Sequence, residues 1–308
     1  MFLNQFPDLA WLKRESESRF EARKGWDGRM LPQKGWPNVV LNVNSESCHR
    51  DHIRGPFSIF TNLAGESAVE VNGKTTRIKD GFYFVTNQDQ YYTLDIEAKT
   101  KTETFNIHFG NYFVEELGKT LSSKPEWLLE NVFTPGLETT ALDNRLNQRS
   151  PLLTTLLFRL KEQKATSTLH FEQLLASIAE HVCSEQIKLR KLAQHLPVIK
   201  STTREEIFKR LGDAVDYLYS FYEHDITLEQ LAQASCLSKF HFLRLFKIAY
   251  GKTPGQFLDE VRIKKAMELL KHHAMPVNAI AKSVGYSNSA SFSRMFRNHT
   301  GVYPTQFV

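Results

Sequence analysis

About eighty residues at the end of the chain contain one sequence pattern twice. The first copy is LEQLAQASCLSKFHFLRLFKIAYGKTPGQF, residues 228–257, and the second is VNAIAKSVGYSNSASFSRMFRNHTGVYPTQF, residues 277–307. Aligned at an offset of 50, the copies share aromatic, basic, glycine and proline positions: Phe242 and Phe292, Arg244 and Arg294, Gly251 and Gly301, Pro254 and Pro304. Such a duplication indicates two copies of one supersecondary unit.

Each copy has the pattern of a helix-turn-helix. Thr227 is placed to cap a short first helix, and Gln230 three residues later completes a capping box. Ser238 caps a second helix that ends at Gly251, a residue favoured in the left-handed conformation after a helix. The second copy repeats the pattern, with a turn at Gly285 and a helix from about residue 288 to 299. The stretch between the copies predicts a joining helix.

The two second helices present similar outer faces. Helical spacing places Phe242, Leu245, Phe246 and Ala249 inward in the first copy, and Phe292, Met295, Phe296 and His299 inward in the second. The outward sets are Phe240, Leu243, Arg244 and Lys247, and Ala290, Ser293, Arg294 and Arg297. Arginine on such a face suits bidentate contact with guanine or a phosphate, and apolar side chains suit thymine methyl groups.

Composition supports a globular chain with a basic end. The 308 residues are 41% apolar and 24% charged, with a formal net charge of +5. Residues 227–308 contain eleven Lys and Arg against four Asp and Glu, so the basic excess lies in the duplicated region. This balance favours a polyanionic partner. Three separated cysteines predict reduced thiols in the cytoplasm, and no apolar run has the length of a membrane span.

The N-terminal part predicts a β-barrel of jelly-roll type. Short β-prone runs follow one another between residues 48 and 110, and Asn72-Gly73 predicts a two-residue hairpin turn. In ETFNIHF, residues 103–109, alternation puts the aromatic and aliphatic side chains on one face and Asn106 and His108 on the other. Barrel interiors are frequent ligand sites. The candidate effector-binding residues are Phe60, Phe84, Tyr92 and His108.

The stretch GESAVEVNGKTTRIKDGFYFV, residues 65–85, resembles a cupin-type barrel. Cupins that bind metals use His and Glu at set places, but Arg54 and Ser58 stand where ligands are expected. Cys48, His49, Asp51 and His52 lie too close along one strand to converge on a metal. We therefore expect no metal and no cofactor. A cupin-type metalloenzyme with a DNA-binding tail remains the alternative function, and an alkyl-accepting cysteine at Cys48 or Cys236 is a less favoured one.

The expected fold class is α+β with two domains. A cupin-like sensing barrel covers residues 1–110, a helical connector with dimerisation surface covers 111–200, and an all-α double helix-turn-helix covers 207–308. Residues 200–206, the polar run KSTTREE, are expected to form a linker.

Residues 208–308 resemble the AraC/XylS transcription regulators, through LAQASCLSKFHFLRLFKIAYGKTPGQFLDEVRIKKAMELL and IAKSVGYSNSASFSRMFRNHTGVYPTQF. The resemblance implies a non-enzymatic, cytoplasmic regulator that binds double-stranded promoter DNA, senses a small-molecule effector and forms a homodimer, with RNA polymerase as a further candidate partner. The DNA-binding residues that it implies are Lys239, Phe240, Leu243, Arg244, Lys247, Asn288, Ser289, Ala290, Ser293, Arg294 and Arg297. The small side chains of the second copy depart from richer family examples, so we expect the first copy to discriminate bases and the second mainly to hold the backbone.

Overall fold

The computed structural model of the chain describes residues 1–21, 36–97, 101–110, 113, 142–162, 167–271 and 275–307. These residues divide into two compact units, unit 1 over Met1–Ile187 and unit 2 over Lys188–Val308. Unit 1 contains two β-sheets and unit 2 is helical. The predicted α+β class with two domains is therefore confirmed.

The strands of unit 1 form a six-stranded and a four-stranded sheet. The first sheet has the order β1-β2-β9-β4-β7-β10 and the second the order β3-β8-β5-β6. Their bounds are β1 Phe2–Leu3, β2 Val39–Ser45, β3 Cys48–Arg54, β4 Ser58–Ala64, β5 Glu66–Val71, β6 Lys74–Lys79, β7 Phe82–Thr86, β8 Tyr91–Ile96, β9 Thr102–His108 and β10 Leu146–Gln148. β1 pairs with β2 in parallel and the other pairs are antiparallel.

Local sequence explains the tightest turn of these sheets. β5 and β6 are joined by Asn72 and Gly73, with φ angles of 53° and 75°. Positive φ at both central residues is the requirement of a type I′ turn, whose twist matches that of the strands. The hairpin predicted at this dipeptide is confirmed.

Among the described residues of unit 1, three helices accompany the sheets: α1 Leu9–Glu21, α2 Pro151–Glu162 and α3 Thr168–Leu192. Ser150 caps α2, since its Oγ accepts a hydrogen bond from the Leu153 amide at 3.1 Å. The apolar sides of α2 and α3 bury Leu157, Ile178 and neighbouring residues in one cluster with Phe105 and Ile107 of β9. The apolar face of β9 therefore packs on helices, and its polar face points the other way.

Unit 2 contains six further helices among the described residues: α4 Ser201–Phe221, α5 Leu228–Ala234, α6 Lys239–Tyr250, α7 Pro254–Lys271, α8 Val277–Ser283 and α9 Ser289–Thr300. The linker predicted over residues 200–206 is wrong, because α4 begins at Ser201. The residues of this run are polar because they form the largely exposed beginning of α4, and Phe208 is the first buried side chain of the helix.

The three-part domain division stays a prediction. The boundary between the two units falls inside α3, between Ile187 and Lys188. Two predicted connector helices, residues 111–121 and 125–133, lie outside the described residues except for Phe113. Among the described helices, none has the length and apolar character needed to cross a membrane.

Candidate DNA-binding surface and ligand cavity

The turn between α5 and α6 is fixed by caps and by one left-handed residue. The Thr227 amide donates to Gln230 Oε1 at 2.8 Å, and the Gln230 amide donates to Thr227 Oγ1 at 3.3 Å. Cys236 has a φ of 51° within the turn, and Ser238 then caps α6. Gly251, with a φ of 71°, ends that helix. The predicted caps of the first copy are thereby confirmed.

The sequence duplication reappears as a duplicated core. Phe242 and Phe246 of α6 are fully buried, as are Phe292 and Phe296 at the matched positions of α9. Each copy then sets one aromatic ring at right angles to its second phenylalanine. Phe257 meets Phe246 at 5.7 Å and 84°. Phe307 meets Phe296 at 5.3 Å and 81°. The outer faces of α6 and α9 are therefore presented by similar supports.

The outer face of α6 combines apolar and basic side chains. Phe240 is 89% exposed, Leu243 is half-buried, and Arg244 and Lys247 are exposed. Among the described residues, Arg244 and Lys247 have no ion-pair or side-chain hydrogen-bond partner. Lys239 instead pairs with the carboxylate of Glu229 in α5, and this contact lowers the pKa of Glu229. Arg244 and Lys247 are thus the available cations of this face.

The outer face of α9 offers shorter side chains and one restrained arginine. Asn288 caps the helix by accepting from the Ala290 amide at 2.7 Å, and Ser289 and Ser293 are half-buried. Arg297 donates to the hydroxyl of Tyr303 at 2.8 Å and lies 4.7 Å above its ring.

Arg294 is exposed and has no ion-pair or side-chain hydrogen-bond partner among the described residues. His299, expected on the inward stripe, is exposed instead, because its Nδ1 lies 3.0 Å from the backbone carbonyl of Met295 on the outer surface.

One buried arginine ties the joining helix to both copies. Arg262 of α7 is 8% exposed, and its Nε and Nη2 donate to the carbonyls of Tyr222 at 2.7 Å and His224 at 2.8 Å. Its guanidinium also lies 5.4 Å above the ring of Tyr286, whose hydroxyl donates to Asp259 at 2.9 Å. Sequence reasoning missed Arg262, since a cation in a charged helix usually faces water. Its contacts fix α7 against the end of α4 and the turn before α9.

Comparison with known proteins also identifies a helix-turn-helix in this part of the chain. A helix-turn-helix domain family matches residues 231–308. The chain is similar to an uncharacterised HTH-type transcriptional regulator of Haemophilus influenzae, 24% identical over 264 residues, which are 79% of this chain and 83% of that protein.

It is also similar to the lactose operon transcription activator of Staphylococcus xylosus, 24% identical over 67% of this chain and 77% of that protein. The solved C-terminal domain of AraT, a response regulator from Geobacillus stearothermophilus, is 31% identical over 32% of this chain and 82% of that chain, with a TM-score of 0.31. The chain is thus a DNA-binding transcription regulator whose residues 231–308 match a helix-turn-helix domain family.

Unit 1 of this transcription regulator contains a cavity of about 180 Å³. The structure brings three of the four sequence-predicted effector residues to its wall, namely Phe60, Tyr92 and His108. The Phe60 and Tyr92 rings lie 4.9 Å apart, and the Phe60 and His108 rings 5.6 Å apart. Phe84 is 2% exposed and lies outside the lining, next to Phe60 in the β4–β7 register.

His108 is neutral in this regulator near pH 7. Full burial lowers the pKa of its imidazole to about 4. Its Nδ1 lies 2.8 Å from Ser58 Oγ, and the Ser58 hydroxyl donates its hydrogen to the carbonyl of Pro56 at 2.8 Å. Because a hydroxyl has one hydrogen, the Nδ1 of His108 is the donor in the first contact and its Nε2 carries the lone pair.

The N-terminal residues that line the cavity could not be identified from the sequence. Leu3, Phe6 and Trp11 line it from β1, α1 and the segment between them, and Trp36 lines it just before β2. This part of the chain has no clear periodicity, so no helix was predicted there. Asn106 also lines the cavity. Its position on the same face of β9 as His108 was the signal that could have identified it.

The Cys48 region of the regulator contains ordinary surface pairs. His49 Nδ1 lies 2.5 Å from Asp95 Oδ1, which raises the pKa of His49, and Asp51 accepts from Lys13 at 3.1 Å. Burial raises the pKa of the Cys48 thiol. Within the ranges that the structure describes, no group of three or more His, Cys, Asp and Glu side chains is placed to hold a metal ion.

Proposed function

We propose that this transcription regulator reads promoter DNA chiefly with α6, anchors itself on the backbone with α9, and is controlled by a small molecule bound in the cavity of unit 1. The observation that carries the DNA-reading role is the outer face of α6. Phe240 is 89% exposed beside Arg244, an arrangement that is unfavourable in water and suited to a thymine methyl next to a guanine.

The difference between the two outer faces supports the division of labour. α6 presents Phe240, Arg244 and Lys247, whose side chains reach far enough to contact base edges. α9 presents the small side chain of Ala290 and holds Arg297 against Tyr303. Cations beside small residues suit contact with phosphates, which position the protein and carry no sequence information. The contacts of Arg262 support a fixed spacing between the two helices, as two successive major-groove segments require.

Fluorescence anisotropy with the chain's own upstream DNA tests this function. We expect specific binding that weakens with salt, and a fragment of scrambled sequence that binds more weakly. Arg244→Ala should cost about 1–3 kcal/mol on the specific fragment if Arg244 contacts a base. Lys264→Ala is the matched control, because it removes an exposed cation of unit 2 from α7. Equal affinity of the native protein for both fragments would refute the proposal.

We also propose that the chain acts as a homodimer in the cytoplasm, with RNA polymerase as a further partner. Three exposed apolar side chains of α2 and α3 support a dimer surface in unit 1: Leu152 at 55%, Phe158 at 41% and Leu169 at 65%. Sedimentation velocity of the native protein and of Phe158→Asp tests this part. We expect a dimer for the native protein and a larger monomer fraction for the variant.

A further inference from the structure

The cavity of unit 1 contains hydrogen-bond donors that lack acceptors. The indole Nε1 of Trp36 and the amide Nδ2 of Asn106 are both buried, and neither has a hydrogen-bond partner among the residues that the structure describes. The other side-chain atom of Asn106, Oδ1, already accepts from the Thr61 amide at 3.3 Å. Buried donors are nearly always paired in folded proteins. Two unpaired N–H groups in the lining of one cavity indicate that a ligand supplies the acceptor.

The lining of the same cavity also contains a buried positive charge, in the other sheet. Arg50 is 8% exposed, donates one bond from Nη2 to the carbonyl of Pro7 at 2.8 Å, and lies 5.2 Å above the ring of Phe6. Within the described part of the chain, no carboxylate forms an ion pair with Arg50. A buried charge is costly without a partner of opposite sign. The partner for this guanidinium is therefore expected from the ligand.

The other two arginines of the wall already have carboxylate partners. Arg19 pairs with Glu15 at 2.8 Å, so this pair adds no net charge to the wall. Arg54 pairs with Glu17 at 2.9 Å and with Asp89 at 3.2 Å. Among the described residues, Arg50 is thus the arginine of the lining without a carboxylate partner. An anionic ligand is thus favoured over a neutral or cationic one.

Most of the remaining lining residues are apolar, and the cavity is small. Phe60, Ile53, Leu94 and Trp11 supply much of the lining. The volume of about 180 Å³ slightly exceeds that of an engineered cavity of about 150 Å³ that takes benzene. A ring or a short branched chain with one head group fits this space. A sugar of similar size does not suit it, because most of its hydroxyl groups would meet apolar side chains.

We propose that the cavity binds a compact monocarboxylate, with its apolar body against Phe60 and Leu94 and its carboxylate accepting from Asn106, Trp36 and Arg50. This proposal names the chemical class of the effector proposed above. It rests on that proposed role only where it concerns an effect of the ligand on DNA binding. The neutral imidazole of His108 leaves the anion's charge to Arg50.

Tryptophan fluorescence of the full chain tests the ligand class. All four tryptophans precede residue 188, and Trp11 and Trp36 lie at the cavity wall. The probes are 4-methylpentanoate, cyclohexanecarboxylate and 3-phenylpropanoate at pH 7, with 3-phenylpropanamide and D-galactose as neutral controls. We expect at least one carboxylate to bind at least ten times more tightly than both controls. Absence of binding by all three carboxylates, or equal binding of 3-phenylpropanoate and its amide, would overturn the proposal.

Two variants locate the head group. Arg50→Gln should weaken the best carboxylate about 10- to 100-fold, the usual range for a lost charged hydrogen bond. Arg14→Gln makes the same charge change at an exposed position of α1 outside the cavity and should leave the affinity unchanged. Asn106→Leu keeps the volume, removes the amide donor and should also weaken binding. Equal affinities for Arg50→Gln and Arg14→Gln would contradict the site.

Ligand binding at the cavity and its effect on DNA binding are tested by separate measurements. DNA affinity is measured by anisotropy with and without a saturating amount of the best carboxylate. A ligand that binds and leaves the DNA affinity unchanged supports the site and overturns its regulatory role. Specific DNA binding without any carboxylate binding overturns the ligand class and leaves the DNA-reading function standing.

Discussion

Replacing Gly285 with alanine tests how the second helix-turn-helix is joined to α7. Gly285 has a φ of 91°, and a Cβ added there would lie 2.8 Å both from Arg262 Nη2 and from the backbone carbonyl oxygen of Glu223. Both distances are shorter than real Cβ contacts. The side chain of Arg262 would therefore move, and the end of α4 would shift with it.

The expected cost follows from two contributions. A left-handed conformation of a residue with a Cβ costs about 1–2 kcal/mol. Displacing Arg262 breaks its bond to the His224 carbonyl, and a hydrogen bond from a charged group contributes about 1.5–3 kcal/mol. Gly285→Ala should thus destabilise unit 2 by about 2.5–5 kcal/mol. Gly301→Ala is the control, because Gly301 has a φ of 81° and open space around its Cβ, so only the backbone cost of about 1–2 kcal/mol applies.

Hydrogen–deuterium exchange of the full chain in increasing urea measures both variants. Peptides from α7 to α9 should lose protection at clearly lower urea in Gly285→Ala than in Gly301→Ala. If the two variants unfold at the same urea concentration, Arg262 does not join the two copies as described.

The remaining predictions concern unit 1. The pKa of His108 is about 4 in the fold against 6.5 when unfolded, so the unfolded chain takes up the proton first as the pH falls. The stability of unit 1 should be complete above pH 6.5, fall by about 2 kcal/mol at pH 5 and stop falling below pH 4. Urea unfolding followed by tryptophan fluorescence measures this, and His108→Gln should show a weaker pH dependence over the same range. Both amide atoms of Gln186 in α3 are buried without hydrogen-bond partners in the described part of the chain, so Gln186→Leu should raise the free energy of unfolding by about 1 kcal/mol in the same assay. A lower stability of this variant would contradict the assignment.

The helix-turn-helix copies could be predicted in detail because their signals are local. Capping pairs such as Thr227 with Gln230, and a glycine such as Gly251 after a helix, act within a few residues of themselves. The buried positions of Phe242 and Phe292 followed from helical spacing. The Asn72-Gly73 hairpin was predictable for the same reason, since the two residues alone determine the turn type.

Contacts between segments that are far apart in the chain could not be predicted from the sequence. Alternation along β9 separated Phe105 from His108, but it did not say which face would meet helices and which a cavity. Arg262 looked like a surface cation because its partners, the carbonyls of Tyr222 and His224, lie about forty residues away. Lys239 had the position of a DNA contact, and only the fold brings Glu229 beside it.

The roles of α6 and α9 are tested by measuring specific and non-specific DNA affinity across salt concentrations for the native chain, Arg244→Ala and Arg294→Ala. If α6 reads bases and α9 holds the backbone, Arg244→Ala reduces the ratio of specific to non-specific affinity and leaves the salt dependence nearly unchanged. Arg294→Ala should weaken both affinities alike and reduce the slope of log affinity against log salt by about 0.9, the value for one lost phosphate contact. The reverse result, in which Arg294→Ala removes specificity and Arg244→Ala changes only the salt slope, would show that α9 and not α6 reads the bases.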